Sequence, residues 1–213
     1  STNEKRAASV RALPYQFTDF AIGPGDFIYT VTSTNESAVK GQVKKLNPGG
    51  KDVLKKSDYN FADNSAKLIK NENLNSIDVD SDGFFYALDS GVYNRIFWYD
   101  KECNLMCVFG GGTNSQTQKG TFSKADTLAI NGTDIVVSDS VNKNITVFSI
   151  TEYGKAVRKA QTATLNDNYS ETAEEWKEII KLDKNNQLAY RGLAKACYSS
   201  GDYDNCLLYT SDA

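Results

Sequence analysis

The chain has 213 residues, 40% of them hydrophobic, with 24 basic and 27 acidic residues and a formal net charge of -3. That supplies apolar material for one large or two small packed domains, and no surplus of positive charge to hold a nucleic-acid backbone or an anionic membrane surface. Histidine is absent, which removes the commonest general base and the commonest zinc ligand.

The chain opens on the polar run Ser1-Thr2-Asn3-Glu4-Lys5-Arg6, with no apolar signal core, and no later stretch approaches the roughly 18 to 20 apolar residues of a membrane span. From about residue 15 the pattern is β. Three segments align, at 19–30, 76–87 and 127–138: a short strand, a turn rich in Gly, Asp or Asn, and a second apolar strand, which is a hairpin signature. A further strand is expected after each, at 41–47, 95–100 and 144–150. In the middle unit Asp100-Lys101-Glu102-Cys103-Asn104 reads as a polar turn into a fourth strand, Leu105-Met106-Cys107-Val108-Phe109-Gly110. The polar run 51–75 reads as a long loop. Repeated strand-turn-strand units spaced by about 50 residues point to β-propeller blades.

Asp82-Gly83-Phe84-Phe85-Tyr86 and Asn94-Arg95-Ile96, with Asp89 between them, resemble the NHL-repeat propeller family, and Ser138-Asp139 with Asn144-Ile145 match it in part. The resemblance implies a partial propeller of about three NHL-like blades over 15–150, with the rest of the ring outside this sequence and open β edges.

From about Glu152 the hydrophobic period lengthens to that of a helix. Asn168-Tyr169-Ser170-Glu171 recurs as Asp202-Tyr203-Asp204-Asn205, a shift of 34 residues, which is the tetratricopeptide period. Helices are expected at 153–165, weakened by Gly154, Thr162 and Thr164, at 170–182, and from Ala189 to Tyr198. Tyr190, Leu193 and Ala194 resemble the aromatic, leucine and small positions of the tetratricopeptide family. Thr172 takes the place of an expected small residue. The expected fold is therefore two domains, the propeller fragment and an α-helical tetratricopeptide hairpin array over 152–209. Residues 206–213 resemble translated adaptor sequence and read as a non-native tail.

The sharpest motif is Asp78-Val79-Asp80-Ser81-Asp82-Gly83 followed by five residues and then Asp89, the spacing of an EF-hand calcium loop with Asp in place of the final Glu. Asp78, Asp80, Asp82 and Asp89 are the candidate ligands. The flanks alternate like strands, so a hairpin turn is the stronger reading. Gly110-Gly111-Gly112 with Gly120 lacks the Gly-Lys-Ser/Thr ending of a phosphate loop. The cysteines are Cys103, Cys107, Cys197 and Cys206, without the partners of a zinc site. Sequons at Asn35, Asn131, Asn144 and Asn168 are about what this composition yields by chance.

The expected function is non-catalytic protein-protein interaction or scaffolding, with no cofactor and a protein or peptide as partner. The tetratricopeptide resemblance implies a concave groove with Tyr190, Arg191 and Lys195 facing the partner and Trp176 and Leu193 in the core. The combination resembles bacterial proteins in which such repeats precede a Yip-type membrane domain, which implies a membrane-attached full-length protein. The alternative is a propeller hydrolase of the gluconolactonase type, with Asp78, Asp89, Asp139 and Asn142 around an axial metal.

Overall fold

The computed structural model describes residues 17–32, 42–54, 73–91, 93–113 and 118–204. Asn35, most of the 51–75 loop, Cys206 and the 206–213 tail lie outside the described residues. The chain divides into two compact units, Ser1–Phe148 and Ser149–Ala213.

The first unit contains strands β1 (Asp19–Ile22), β2 (Ile28–Val31), β3 (Val43–Leu46), β4 (Leu74–Val79), β5 (Phe85–Asp89), β6 (Arg95–Tyr99), β7 (Leu105–Gly110), β8 (Ala125–Asn131), β9 (Asp134–Asp139) and β10 (Asn144–Phe148). They form three antiparallel sheets. Sheet I has the order β1-β2-β3, sheet II β4-β5-β6-β7 and sheet III β10-β9-β8. The sheets pack face to face, sheet II between the other two, with β4 against β1 and β2 on one side and β8 on the other.

Alternation decides the layers, because successive residues of a strand point to opposite faces. One face of sheet II carries Ile77, Ala87 and Phe97 in cross-strand register, with Val79, Phe85 and Tyr99 beside them. This face joins Tyr29, Val31 and Val43 of sheet I in one buried cluster. Its rings meet at short range: Tyr29 and Phe85 have centroids 5.2 Å apart, and Phe85 stacks on Tyr99 at 5.0 Å. The opposite face carries Tyr86 stacked on Trp98 at 5.8 Å, and Phe109 leads to Phe148 of sheet III, 5.1 Å away edge to face. Offset and edge-on ring pairs of this kind add about 0.5 to 1.5 kcal/mol each beyond burial.

The second unit contains α1 (Glu152–Leu165), α2 (Tyr169–Leu182) and α3 (Gln187–Ser200). Thr151 caps α1 by accepting from the Gly154 N–H at 3.1 Å, and Asn186 caps α3 by accepting from Ala189 at 3.0 Å. Gly201 closes α3 in the left-handed region at φ 77°. Trp176 is fully buried, and its Nε1–H donates to Thr164 Oγ1 at 3.0 Å. The Thr164 hydroxyl in turn donates to the Ala160 carbonyl at 2.9 Å. Thr164 is thus a poor helix former that supplies a buried hydrogen-bond acceptor to Trp176.

The expected architecture, a partial β-propeller of about three blades followed by a tetratricopeptide helical array, is corrected by this arrangement. The described strands make three small sheets in sandwich-like face-to-face packing, and only the middle one has four strands. The described α-helices with full bounds number three, one bundle rather than an array of repeated hairpins, beside a 3-10 turn at Pro24–Asp26 and a helical start at Tyr203. The physical reason is that a hairpin pattern specifies a local meander but not how meanders are arranged in space. The 34-residue recurrence pairs Tyr169, which opens α2, with Tyr203, which is helical at the edge of the described residues.

Candidate binding surfaces and the acidic turns

The acidic residues singled out for metal binding are held by separate turns. In the β4–β5 turn Asp80 Oδ1 accepts from the N–H groups of Asp82 at 2.9 Å and Phe84 at 3.0 Å. Gly83 sits at φ 85° and donates to the Asp80 carbonyl at 3.0 Å. The same turn recurs between β6 and β7. There Asp100 Oδ1 accepts from Glu102 at 2.9 Å and Asn104 at 2.8 Å, and Cys103 takes the left-handed place of Gly83 at φ 69°. The Asp-x-x-Gly segment is a turn with its side chain folded back on the backbone, the geometry that short acidic side chains favour.

Asp78 spans two sheets. Its Oδ1 accepts from Val79 at 2.8 Å and its Oδ2 from the Ile130 N–H of β8 at 2.7 Å. Asp89 lies at the far end of β5 from the Asp80 turn, paired in register with Leu74. It is fully buried, accepts from Asn73 and Gly91 at 3.0 Å each, and meets Arg95 at 3.2 Å. Asp78, Asp80 and Asp82 are therefore near one end of the hairpin and Asp89 at the other.

Of the gluconolactonase-type set, Asp139 and Asn142 are brought together at 2.9 Å, and Asp78 and Asp89 are bound elsewhere as described. Asp139 repeats the role of Asp89 one sheet on. It accepts from Ser123 at 2.7 Å, across the same 16-residue interval that separates Asn73 from Asp89, and from Val141 and Asn142 in its own turn. Burial pushes the Asp139 carboxyl up, but the N–H groups of Asn142, Ser123, Lys124 and Val141 together outweigh it and hold its pKa below the ordinary value. Asp126, Asp139, Lys143 and Asn144 line an open depression of about 650 Å³. Among the described residues no group of three or more His, Cys, Asp or Glu side chains is placed to hold a metal ion.

In the helical unit Tyr190 is half-buried, while Arg191 and Lys195 stand exposed one turn apart on α3. Trp176 and Leu193 are fully buried. Among the described residues no helix is long and apolar enough to cross a membrane. Cys103 is buried, Cys107 exposed and Cys197 half-buried, and none of the three is in a disulfide.

What the sequence reading missed is on the outer faces of the end sheets. Phe20 and Ile22 of β1 are 63% and 66% exposed, and Ile145 and Val147 of β10 are 67% and 56% exposed. The signal was present. Phe20-Ala21-Ile22 and Ile145-Thr146-Val147 place apolar residues on the side that a solvent-facing strand fills with polar ones.

No family model matches the chain, and no curated protein matches it. Among solved structures it is similar to a Bacteroides caccae protein of unknown function, at 10% identity over 66% of this chain and 48% of that one, with a TM-score of 0.37. It is also similar to the computationally designed Ika4 protein, at 9% identity over 67% of this chain and 96% of that one, with a TM-score of 0.36. The chain spans about half the length of the Bacteroides caccae protein.

Proposed function

We propose that this chain is a non-catalytic protein-interaction module whose β unit recruits partners through the open faces of its end sheets. The observation that carries the reading is the concentration of exposed large apolar side chains there: Phe17, Phe20 and Ile22 at sheet I, and Val141, Ile145 and Val147 at sheet III. Clustered apolar exposure of this kind marks interaction sites, whereas scattered single residues do not. The acidic side chains lend a further argument. Asp80, Asp89 and Asp139 each accept backbone N–H groups in separate turns, so recruiting them to one ion would strip those donors.

The test is calorimetric titration of the whole chain with calcium, magnesium, manganese and zinc, beside binding of an apolar fluorescent dye at low protein concentration. The expected result is no saturable metal heat, with dye binding that falls in the Phe20→Asp and Val147→Asp variants. Saturable metal binding that raises the melting temperature and is lost in Asp139→Asn or Asp89→Asn would overturn the reading in favour of the gluconolactonase-type hydrolase.

A further inference from the structure

The two open faces repeat the positions that already meet where the three sheets pack on one another. The first strands align as Asp19-Phe20-Ala21-Ile22, Ser76-Ile77-Asp78-Val79 and Thr127-Leu128-Ala129-Ile130. At both internal junctions the same positions meet. The first and third residues of one strand (Asp19 and Ala21, then Ser76 and Asp78) face the next sheet, and the second and fourth of that sheet (Ile77 and Val79, then Leu128 and Ile130) receive them.

A hydrogen bond repeats at the same place in each junction. Asp19 Oδ2 accepts from the Ile77 N–H at 3.0 Å, and Ser76 Oγ accepts from the Leu128 N–H at 3.2 Å. These are first-position oxygens meeting second-position amides of the following edge strand, whose outward amides have no strand partner of their own.

Burial shows what each end sheet lacks. Ile77 and Leu128 are 3% and 5% exposed, whereas their equivalent in sheet I, Phe20, is 63% exposed. On the other side, cross-strand register makes Val147 of sheet III the equivalent of Trp98 in sheet II, and Ile145 the equivalent of Ile96. Trp98 and Ile96 are 5% and 0% exposed, against 56% and 67% for Val147 and Ile145. Among the described residues nothing covers sheet I as sheet I covers sheet II, and nothing covers sheet III as sheet III covers sheet II.

We infer that the chain associates head to tail with a second copy of itself, the open face of sheet III in one copy seating on the open face of sheet I in the next. This rests on the interaction-module reading and names its partner. In the new junction Thr127 Oγ1 stands where Asp19 and Ser76 stand in the internal ones, and the Phe20 N–H, now bonded to its own Asp19 Oδ1 at 2.8 Å, is the matching donor. The contact is heterologous, so it closes into a ring if the rotation per copy permits and otherwise extends.

The experiment is sedimentation velocity on the whole chain from about 1 to about 100 µM, a range that brackets micromolar association. Wild type, Phe20→Asp, Val147→Asp and an equimolar mixture of the two variants are compared, with circular dichroism melts to verify folding. Both substituted side chains are more than half exposed, so folding is expected to survive. Wild type is expected to gain mass with concentration and each variant alone to stay monomeric. The mixture, which retains one intact pair of faces, is expected to form a dimer. A monomeric wild type, or a mixture no heavier than its components, overturns self-association. Dye binding separates the two failures: a monomeric wild type whose dye binding still falls in both variants keeps the interaction module with another occupant, and dye binding indifferent to both substitutions removes that reading too.

Discussion

Asp139 concentrates the logic of the acidic residues in this chain. It is 2% exposed, with Ser123, Val141 and Asn142 N–H groups within 3.0 Å of its carboxylate and Lys124 at 3.3 Å. A carboxylate that accepts several backbone N–H bonds is stabilised in its charged form, and here that outweighs burial and lowers the pKa. A group whose folded pKa is depressed contributes stability that is present above its unfolded pKa, near the ordinary 3.8, and is lost as pH falls through the folded value. Asp139→Asn replaces one acceptor oxygen by an amide that cannot accept from Ser123, and is expected to cost about 1 to 3 kcal/mol at neutral pH. Thermal melts between pH 7 and pH 2 check this. The gap between wild type and variant should narrow below pH 4, and a gap constant with pH would show that the carboxylate charge is not what the turn uses.

At the scale of the element, the helical unit is organised around one tryptophan and one glycine. A Cβ at Gly192 of α3 would lie 2.2 Å from Trp176 Nε1, closer than any real contact, and the ring it meets is itself fully buried. The side chain cannot swing away without losing its hydrogen bond to Thr164 and opening a cavity. Gly192→Ala is therefore expected to destabilise the unit by about 3 kcal/mol despite its better helix propensity. A urea melt followed by tryptophan fluorescence reads it, and a loss under about 1 kcal/mol would mean that α2 and α3 separate readily. Elements such as these were legible in the sequence: Trp176 and Leu193 fall on an apolar stripe, and the turns at Asp80-Ser81-Asp82-Gly83 and Gly132 announce themselves through residues that tolerate positive φ. Cys103 in a left-handed turn was not legible, because cysteine carries no such preference. The arrangement of the sheets was not legible either. In Asp19-Phe20-Ala21-Ile22 the larger apolar side chains share the exposed face, so the pattern marks that face as apolar but does not give what covers it.

For the whole molecule, the decisive fact is that two units are separately compact, one built from sheets and the other from helices. The first draws its stability from aromatic residues far apart in sequence, such as Tyr29, Phe85 and Tyr99, and the second from helices adjacent in sequence. Cores of such different construction differ in enthalpy and heat capacity, so two-state behaviour is not expected of the chain as a whole. Differential scanning calorimetry should resolve two transitions, and the variants assign them. Gly192→Ala, which acts on Trp176, lowers one midpoint, and Asp139→Asn, which acts on the turn after β9, lowers the other. A loss of about 1 kcal/mol shifts the midpoint of a small domain such as the helical unit by roughly 4 to 8 °C, and that of a domain near the size of the Ser1–Phe148 unit by roughly 2 to 4 °C, so each displacement is large enough to read alone. If either substitution moved both midpoints together, the units would be thermodynamically coupled, and the division seen in the fold would not be a division in stability.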